Sequence, residues 1–169
     1  MDLHDQKDTI ELLLKSVEEW NQLRETDNFS PNFCDVSLAD AELSGADLSL
    51  ADFVNANLEG AVLKGANLHS CMMKDANLAG VDLRNADLSR CDLRGANLCD
   101  AKLSGTNFKD ADFRNANLAG ASCFRASFQG ATLLGANLEN IDLRATDLRG
   151  TRVDEVQLAS AQLDGANRG

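Results

Sequence analysis

Few side chains in this sequence have the types and spacing that catalysis requires. Only two histidines are present, His4 and His69, and no base partner can be argued for any of the scattered serines. The many aspartates look like paired carboxylates only because they recur within a repeat. No CxxC motif and no His/Cys ligand spacing is present. We therefore expect no catalytic site, no cofactor and no metal site.

The aspartates and asparagines belong to a five-residue repeat that runs from residue 31 to residue 165 without an insertion. Each unit reads alanine, then Asp or Asn, then leucine and two further residues, as in Ala56-Asn57-Leu58. The alanine and the leucine are two positions apart with a polar residue between them, which is the alternation of a β-strand. Glycine often stands last, where its tolerance of positive φ suits a corner. Each unit therefore predicts one short strand and one bend.

Residues twenty apart share a chemical type, which indicates how many units close one coil. The polar slot contains an asparagine column at this spacing: Asn57, Asn77, Asn97, Asn117 and Asn137. The leucine slot beside it contains Leu38, Leu58, Leu78, Leu98, Leu118, Leu138 and Leu158, which we expect to form the structural core. A spacing of fifteen gives no common type, since Asn57 would lie beside Met72 and Asp87. These columns favour four units per coil and about seven four-sided coils.

The phrase A-(D/N)-L-x-x, repeated over residues 31 to 165, resembles the pentapeptide-repeat proteins. This resemblance implies an all-β solenoid over residues 31–169, namely a right-handed quadrilateral parallel β-helix. It implies little about activity, because the family includes DNA-gyrase inhibitors and protectors as well as members with no known activity.

The five cysteines fit a reducing compartment, and we expect a cytoplasmic protein. Cys71 and Cys91 are twenty residues apart, so stacked strands about 4.8 Å apart would place one above the other. Parallel stacking keeps their Cβ atoms too far apart for a relaxed disulfide. We favour packed, free thiols over a bridge.

Residues 1–30 differ in kind and predict an amphipathic helix. Asp8 followed by Glu11 fits an N-cap pair. Apolar residues at helical spacing follow: Ile10, Leu13, Leu14, Val17 and Trp20. We expect one helix of about four turns. It would cover the first coil, where a solenoid otherwise exposes its core and unpaired strand groups. A detachable, partner-binding helix is the alternative.

Two outward features interrupt the repeat. Cys34, Leu50, Val54 and Met72 form an apolar group near the first coils, and we expect residues 1–30 to cover it. Phe124 follows a cysteine that occupies a leucine slot. Either the chain slips in register there or it exposes an aromatic side chain, and we favour the unslipped arrangement.

The net charge of −11 is concentrated at one end of the chain. Residues 1–70 carry 14 acids and 4 bases, whereas residues 71–169 carry 13 acids and 12 bases. Duplex DNA carries one charge per ~1.7 Å, so a DNA mimic of the kind attributed to the family's gyrase inhibitors would need acids along its whole length. Because the excess of acids here is confined to residues 1–70, a gyrase-directed DNA mimic is the alternative function and not the preferred one. We expect no nucleic-acid partner, and no membrane partner because no segment contains the ~20 apolar residues of a span.

The preferred interpretation is a non-enzymatic, rigid module or scaffold that binds another protein, whose identity the sequence does not give. The asparagine column is the candidate interaction face, although hydrogen-bonded ladders would also explain it. The last coil contains Val153, Leu158 and Leu163 and has no helix after it. A homodimer through this uncapped end is a further expectation, with a monomer as the alternative.

Overall fold

The solenoid is four-sided, as the columns predicted. The computed structural model describes residues 5–27 and 29–169. From Asn32 onward the chain is a right-handed quadrilateral β-helix in which each side contributes one bridged residue and each corner is a two-residue turn. Every bridge is parallel and joins residues twenty apart, as Asn57 joins Asn77. The predicted fold class is therefore confirmed.

We number the sides by their bridged residues, so that side one is the side that begins with Asn32. The bridged residues are Asn32, Asp52, Met72, Asp92, Asp112, Thr132 and Arg152 on side one; Ser37, Asn57, Asn77, Asn97, Asn117 and Asn137 on side two; Glu42, Val62, Asp82, Lys102, Ser122, Asp142 and Gln162 on side three; and Asp47, Asn67, Asp87, Asn107, Ser127, Asp147 and Asn167 on side four. Side one is thus crossed seven times.

The interior is a narrow column of leucine and alanine. The leucine column of side two is buried from Leu38 to Leu158, with an exposed fraction of at most 5%. Phenylalanines stack where they replace leucine, and the ring centroids of Phe108 and Phe128 are 5.0 Å apart. Burial of each such side chain stabilises the fold by about 1.5–3 kcal/mol. Residues twenty apart occupy equivalent interior positions in successive coils, which explains why they resemble one another.

The corners adopt left-handed backbone conformations whether or not they contain glycine. Leu50, Arg90 and Ala145 have φ values of 62°, 60° and 57°, close to the 65° of Gly80. A left-handed conformation costs a residue other than glycine about 1–2 kcal/mol. The corner N–H donates to the next coil, as the Leu50 N–H does to the His69 carbonyl at 3.0 Å, so stacking holds the corner in place.

The N-terminal segment forms two helices rather than the single helix predicted. They are α1 (Gln6–Lys15) and α2 (Val17–Thr26). Ser16 lies between them in an extended conformation (φ −161°, ψ 114°), and its hydroxyl accepts a hydrogen bond from the Glu19 N–H. The same residue therefore ends α1 and caps α2, because a serine side chain can replace the missing helical acceptor at a helix start.

Two further expectations for this segment were wrong. The N-cap of α1 is Asp5, whose carboxylate accepts from the N–H groups of Lys7 and Asp8, and Asp8 lies inside the helix. Leu14 is 53% exposed, whereas Leu12 is buried. The break at Ser16 explains the second error, because a single helical period drawn through residues 10–20 crosses two helices with separate axes.

Side chains of the helices occupy the places that a preceding coil would fill. The Trp20 indole N–H donates to the Asp47 carbonyl at 2.7 Å, and the Asn21 amide accepts from the Asp47 N–H at 2.8 Å. One coil later, the equivalent N–H and carbonyl of Asn67 bond to backbone groups of the first coil. The Arg24 guanidinium donates to the Ser49 carbonyl at 2.9 Å, and the Gln6 amide donates to the Cys34 carbonyl at 3.0 Å. The helices therefore pair the exposed edge of the first coil on side four and at Cys34 of side one.

The last coil departs from the repeat on side two. A 3₁₀-helix, Glu155–Leu158, replaces the strand there. The Gln157 side chain donates to the Leu133 carbonyl at 3.2 Å and to the Ala136 carbonyl, so a side chain takes over part of the missing backbone pairing. Val156 in this turn is 86% exposed, and Leu163 is half-buried.

Of the four outward apolar residues, Cys34 and Val54 are half-buried, whereas Leu50 and Met72 are exposed, contrary to expectation. Leu50 is 44% exposed and Met72 is 46% exposed, because α1 and α2 lie over the end of the first coil rather than over side one. Phe124 is also exposed, and the Arg125 guanidinium lies 5.0 Å from its ring centroid. Ser122 keeps its bridges to Lys102 and Asp142, so the unslipped register is confirmed.

Candidate interaction face on side two

The asparagine column of side two forms a continuous hydrogen-bonded ladder. Each amide Nδ2 donates to the Oδ1 of the asparagine twenty residues earlier, at 3.0 or 3.1 Å, from Asn77 up to Asn137. Each Oδ1 also accepts from the backbone N–H two residues later, as Asn97 does from Cys99 at 3.3 Å. The predicted bonding of this slot to its own strand and to its stacked neighbours is therefore confirmed.

The ladder leaves part of its hydrogen-bonding capacity unused. Asn77 uses its second N–H on the Glu59 carboxylate at 3.1 Å. Asn97, Asn117 and Asn137 each have one amide N–H without a partner among the described residues. These donors are held at the spacing of stacked strands, about 4.8 Å, along the axis of the solenoid.

A shallow groove runs beside the ladder along the corner between sides two and three. It has a volume of about 360 Å³ and is lined by Asp40, Glu59, Gly60, Ala79, Gly80, Cys99 and Asp100. Its floor consists of small side chains, and carboxylates stand at both ends. Such a groove admits the backbone or a slender side chain of a ligand but encloses no small molecule.

The other sides are electrically neutral over much of their length. Five aspartates in the polar slot each pair with the arginine two residues later, with closest N–O distances of 2.6–2.8 Å: Asp82 with Arg84, Asp92 with Arg94, Asp112 with Arg114, Asp142 with Arg144, and Asp147 with Arg149. The Arg84 guanidinium lowers the pKa of Asp82 to about 2. The other four arginines lower the pKa of their aspartates in the same way.

The structure brings together one pair of catalytic type that the sequence analysis does not predict. His69 Nδ1 lies 2.8 Å from Ser89 Oγ on side four, so this serine has a base beside it, contrary to expectation. The signal was present, because these residues are twenty apart and so stack. Ser89 is 9% exposed, and the His69 Nε2 has no hydrogen-bond partner among the described residues. The pair thus lacks the orienting third group of a catalytic triad. His4 lies outside the described residues.

The cysteines are free, as expected. Cys71 Sγ donates to the Leu48 carbonyl at 3.0 Å and Cys91 Sγ to the Leu68 carbonyl at 2.9 Å. Burial raises the pKa of Cys71 and of Cys123. Within residues 5–27 and 29–169, no group of three His, Cys, Asp or Glu side chains could hold a metal ion. No helix in this part of the chain has the length and apolar character needed to cross a bilayer.

Three solved structures illustrate what the chain is similar to. HetL from the cyanobacterium Nostoc sp. strain PCC 7120, a pentapeptide repeat protein involved in heterocyst differentiation regulation, is 29% identical; the match covers 81% of this chain and 74% of HetL, with a TM-score of 0.39. Alr5209, a pentapeptide repeat protein from Nostoc PCC 7120, is 36% identical over 57% of this chain and 84% of its own, with a TM-score of 0.36. The plasmid-mediated fluoroquinolone resistance protein QnrB1 is 15% identical over 84% and 86%, with a TM-score of 0.45.

A family model described as pentapeptide repeats (8 copies) matches residues 32–53, 51–90, 91–122 and 121–158. No curated protein matches the chain. The matched segments together cover most of the solenoid, from its first bridged residue to the 3₁₀-helix of the last coil. The chain therefore belongs to the pentapeptide-repeat family.

Proposed function

We propose that this chain is a rigid, non-enzymatic module that binds another protein along side two. The asparagine ladder is already explained by the stability of the fold, so the proposal depends on the groove beside it. That groove combines a floor of small residues with carboxylates that make no ion pair within the described part of the chain, which is an arrangement that the repeat does not require.

The groove favours a partner segment that is basic and slender. Asp40, Glu59 and Asp100 make no ion pair within the described part of the chain, so a lysine or arginine of a partner meets an uncompensated charge. Ala79 and Gly80 lie between these carboxylates, and their small size allows a partner backbone to approach closely. The stacked coils hold these groups in fixed positions, which limits the entropy lost on binding.

Substitution on side two tests this proposal. Ala79→Arg places a large cation in the groove, and Ala119→Arg places one in the same slot of side two, one coil above Cys99. Ser104→Arg places the same group in the equivalent slot of side three. We expect either side-two variant to capture at least tenfold less host protein than the wild-type chain does. Ser104→Arg should capture as much as the wild-type chain. Equal capture by all three variants would contradict the proposal.

A gyrase-directed DNA mimic is the second candidate, and the excess of acids over residues 1–70 is the observation that favours it. The five neutralised aspartates on the other sides weigh against it, because they interrupt the line of negative charge. A supercoiling assay with purified gyrase separates the two functions. Inhibition that is abolished by charge reversal of Asp40 and Glu59 would place DNA mimicry first.

We also propose that the C-terminal coil can join two copies in a closed dimer. The helices lie over part of the edge of the first coil, whereas Val156 and Leu163 leave apolar surface at the last coil. A contact between two C-terminal coils joins like surfaces, which gives a two-fold dimer and no filament. Sedimentation equilibrium should show a dimer that Val156→Lys dissociates, and a wild-type monomer at high concentration would contradict it. The five free thiols suit a cytoplasmic location.

A further inference from the structure

The aspartates of the polar slot follow a common rule with one exception. Eight of them lie in bridged positions of the solenoid. Five pair with an arginine two residues later. Asp47 and Asp87 lack that arginine, but each accepts a hydrogen bond at 2.9 Å from an asparagine amide in the coil above. A carboxylate in this slot is thus normally satisfied by a guanidinium or an amide.

Asp52 on side one has neither partner among the described residues. The position two residues later is Val54, and the residue above is Met72. The Asp52 carboxylate accepts a hydrogen bond from the Val54 N–H at 3.0 Å and lies beside the Cys34 thiol. Burial, together with the hydrogen bond from the thiol to Asp52, raises the pKa of Cys34 to about 11. No side-chain cation or amide of the described chain reaches Asp52.

The surroundings of Asp52 are apolar and accessible. Met72 lies directly above it through their bridge and is 46% exposed. Leu50, 44% exposed, and Val54 stand two residues before and after Asp52. They therefore lie at the two corners that flank the side-one position of Asp52. Leu50, Val54 and Met72 thus frame a single carboxylate on an otherwise polar side, and α1 and α2 leave this frame uncovered.

An arginine side chain matches both parts of this surface. Its planar guanidinium pairs with a carboxylate through two hydrogen bonds, and its three-carbon stem packs on apolar groups. The chain itself shows the geometry two coils away, where Arg94 donates to Asp92 at 2.7 and 2.6 Å. It also shows that the guanidinium can come from a separate element, because Arg24 of α2 approaches Asp47 and donates to Ser49, the residue two positions later.

We propose that Asp52, framed by Leu50, Val54 and Met72, binds an arginine side chain of a partner protein. The partner's guanidinium takes the place that Arg94 occupies at Asp92, and an apolar residue next to that arginine packs on Leu50 and Met72. This inference depends on the proposed function as a protein-binding module. It adds a second contact site, on side one, and the kind of side chain that the site recognises.

A peptide titration tests the site directly. The probe is acetyl-Leu-Arg-Leu-amide, and its matched control is the same peptide with citrulline, which keeps the shape and loses the charge. We expect the arginine peptide to shift the backbone amide resonances of residues 50–55 and 72 in a saturable way, and the citrulline peptide to bind at least tenfold more weakly. Added salt should weaken the arginine peptide more than the citrulline peptide.

Three variants separate this site from general attraction to an acidic protein. Asp52→Asn should abolish the shifts, and so should Val54→Arg, which supplies the arginine from the chain itself as Arg94 does at Asp92. Asp87→Asn, on side four, should leave binding unchanged. Equal binding of the citrulline peptide, retention of the shifts in Asp52→Asn, or shifts centred on Asp40 and Asp100 would overturn the proposal. None of these results would alter the outcome of the side-two capture experiment, so the two proposals fail independently.

Discussion

The corner glycines make a pair of substitutions with the same chemistry and different expected effects. Gly80 and Gly95 have φ values of 65° and 68°. A Cβ atom added at Gly80 meets nothing within 4 Å, whereas one added at Gly95 would lie 2.2 Å from Oδ1 of Asp75 in the coil below. Gly95→Ala therefore forces a neighbour to move, and Gly80→Ala does not.

The difference between the two variants isolates this contact. Both alanines adopt a left-handed conformation that costs about 1–2 kcal/mol, and both restrict the unfolded chain equally. These contributions cancel in the comparison. Asp75 must leave its preferred rotamer only in Gly95→Ala, which costs roughly 0.5–1.5 kcal/mol. Its ion pair with Lys74, at 3.7 Å and half exposed, adds little.

We expect Gly95→Ala to be less stable than Gly80→Ala by about 1 kcal/mol in urea unfolding followed by circular dichroism. Removal of the Asp75 side chain should eliminate the difference, so that Asp75→Ala/Gly95→Ala and Asp75→Ala/Gly80→Ala unfold at the same midpoint. Equal midpoints for the two single variants, or a difference that survives in the Asp75→Ala background, would refute the argument that corners twenty residues apart touch.

The remaining predictions concern the N-terminal helices α1 and α2, the ion pairs and the thiols. Trp20→Ala should destabilise the chain by about 3–5 kcal/mol, since it removes a buried ring, whereas the exposed Leu14→Ala should change stability by less than about 0.5 kcal/mol in the same urea assay. The pKa of Asp82 is lowered from 3.8 to about 2, so its ion pair contributes stability above pH 3.8 that is lost as the pH falls towards 2; Asp82→Asn should flatten the acid limb of a pH–stability curve in that window, and an unchanged limb would contradict the pairing. A thiol reagent at neutral pH should label Cys99 first and Cys34 slowly, and should reach the three buried cysteines only after unfolding; fast labelling of all five would contradict the buried placement.

The coil geometry could be predicted because each slot of the repeat has one environment. Leu58 and Leu78 occupy equivalent places in stacked coils, so selection for the same interior contact leaves the same residue twenty positions later. Phe124 kept its register for the same reason, since the bridges on either side of it fix the strand. Local alternation and long-range stacking therefore indicate the same structure. A fold can be predicted from its sequence when local and long-range preferences agree in this way.

The N-terminal segment could not be read in this way, because it has no repeat to compare. Ile10, Leu13 and Val17 fit one helical period, which does not show the break at Ser16. The signal for the break was the spacing of Ser16 and Glu19, which is that of a capping box at a helix start. The choice between Leu12 and Leu14 depends on how α1 lies against the first coil, which is a tertiary contact. Helical periodicity predicts which face is apolar only along a straight axis.

The unusual environment of Asp52 could have been found from the sequence, but only with a rule that the structure supplies. The pairing of Asp92 with Arg94 shows that a carboxylate in the polar slot accepts from the side chain two residues later. With that rule, Val54 and Met72 mark Asp52 as the exception. The same spacing of twenty would have placed His69 beside Ser89.

The binding face can be tested at one height of the solenoid. A photo-crosslinking amino acid placed in turn at Arg94, Cys99, Ser104 and Lys109 samples the equivalent outward slot on sides one to four of a single coil. We expect position 99 to give a discrete adduct with a host protein and positions 104 and 109 to give none. The same adduct from all four positions, or an adduct from position 104 without one from position 99, would contradict the assignment of side two as the docking face.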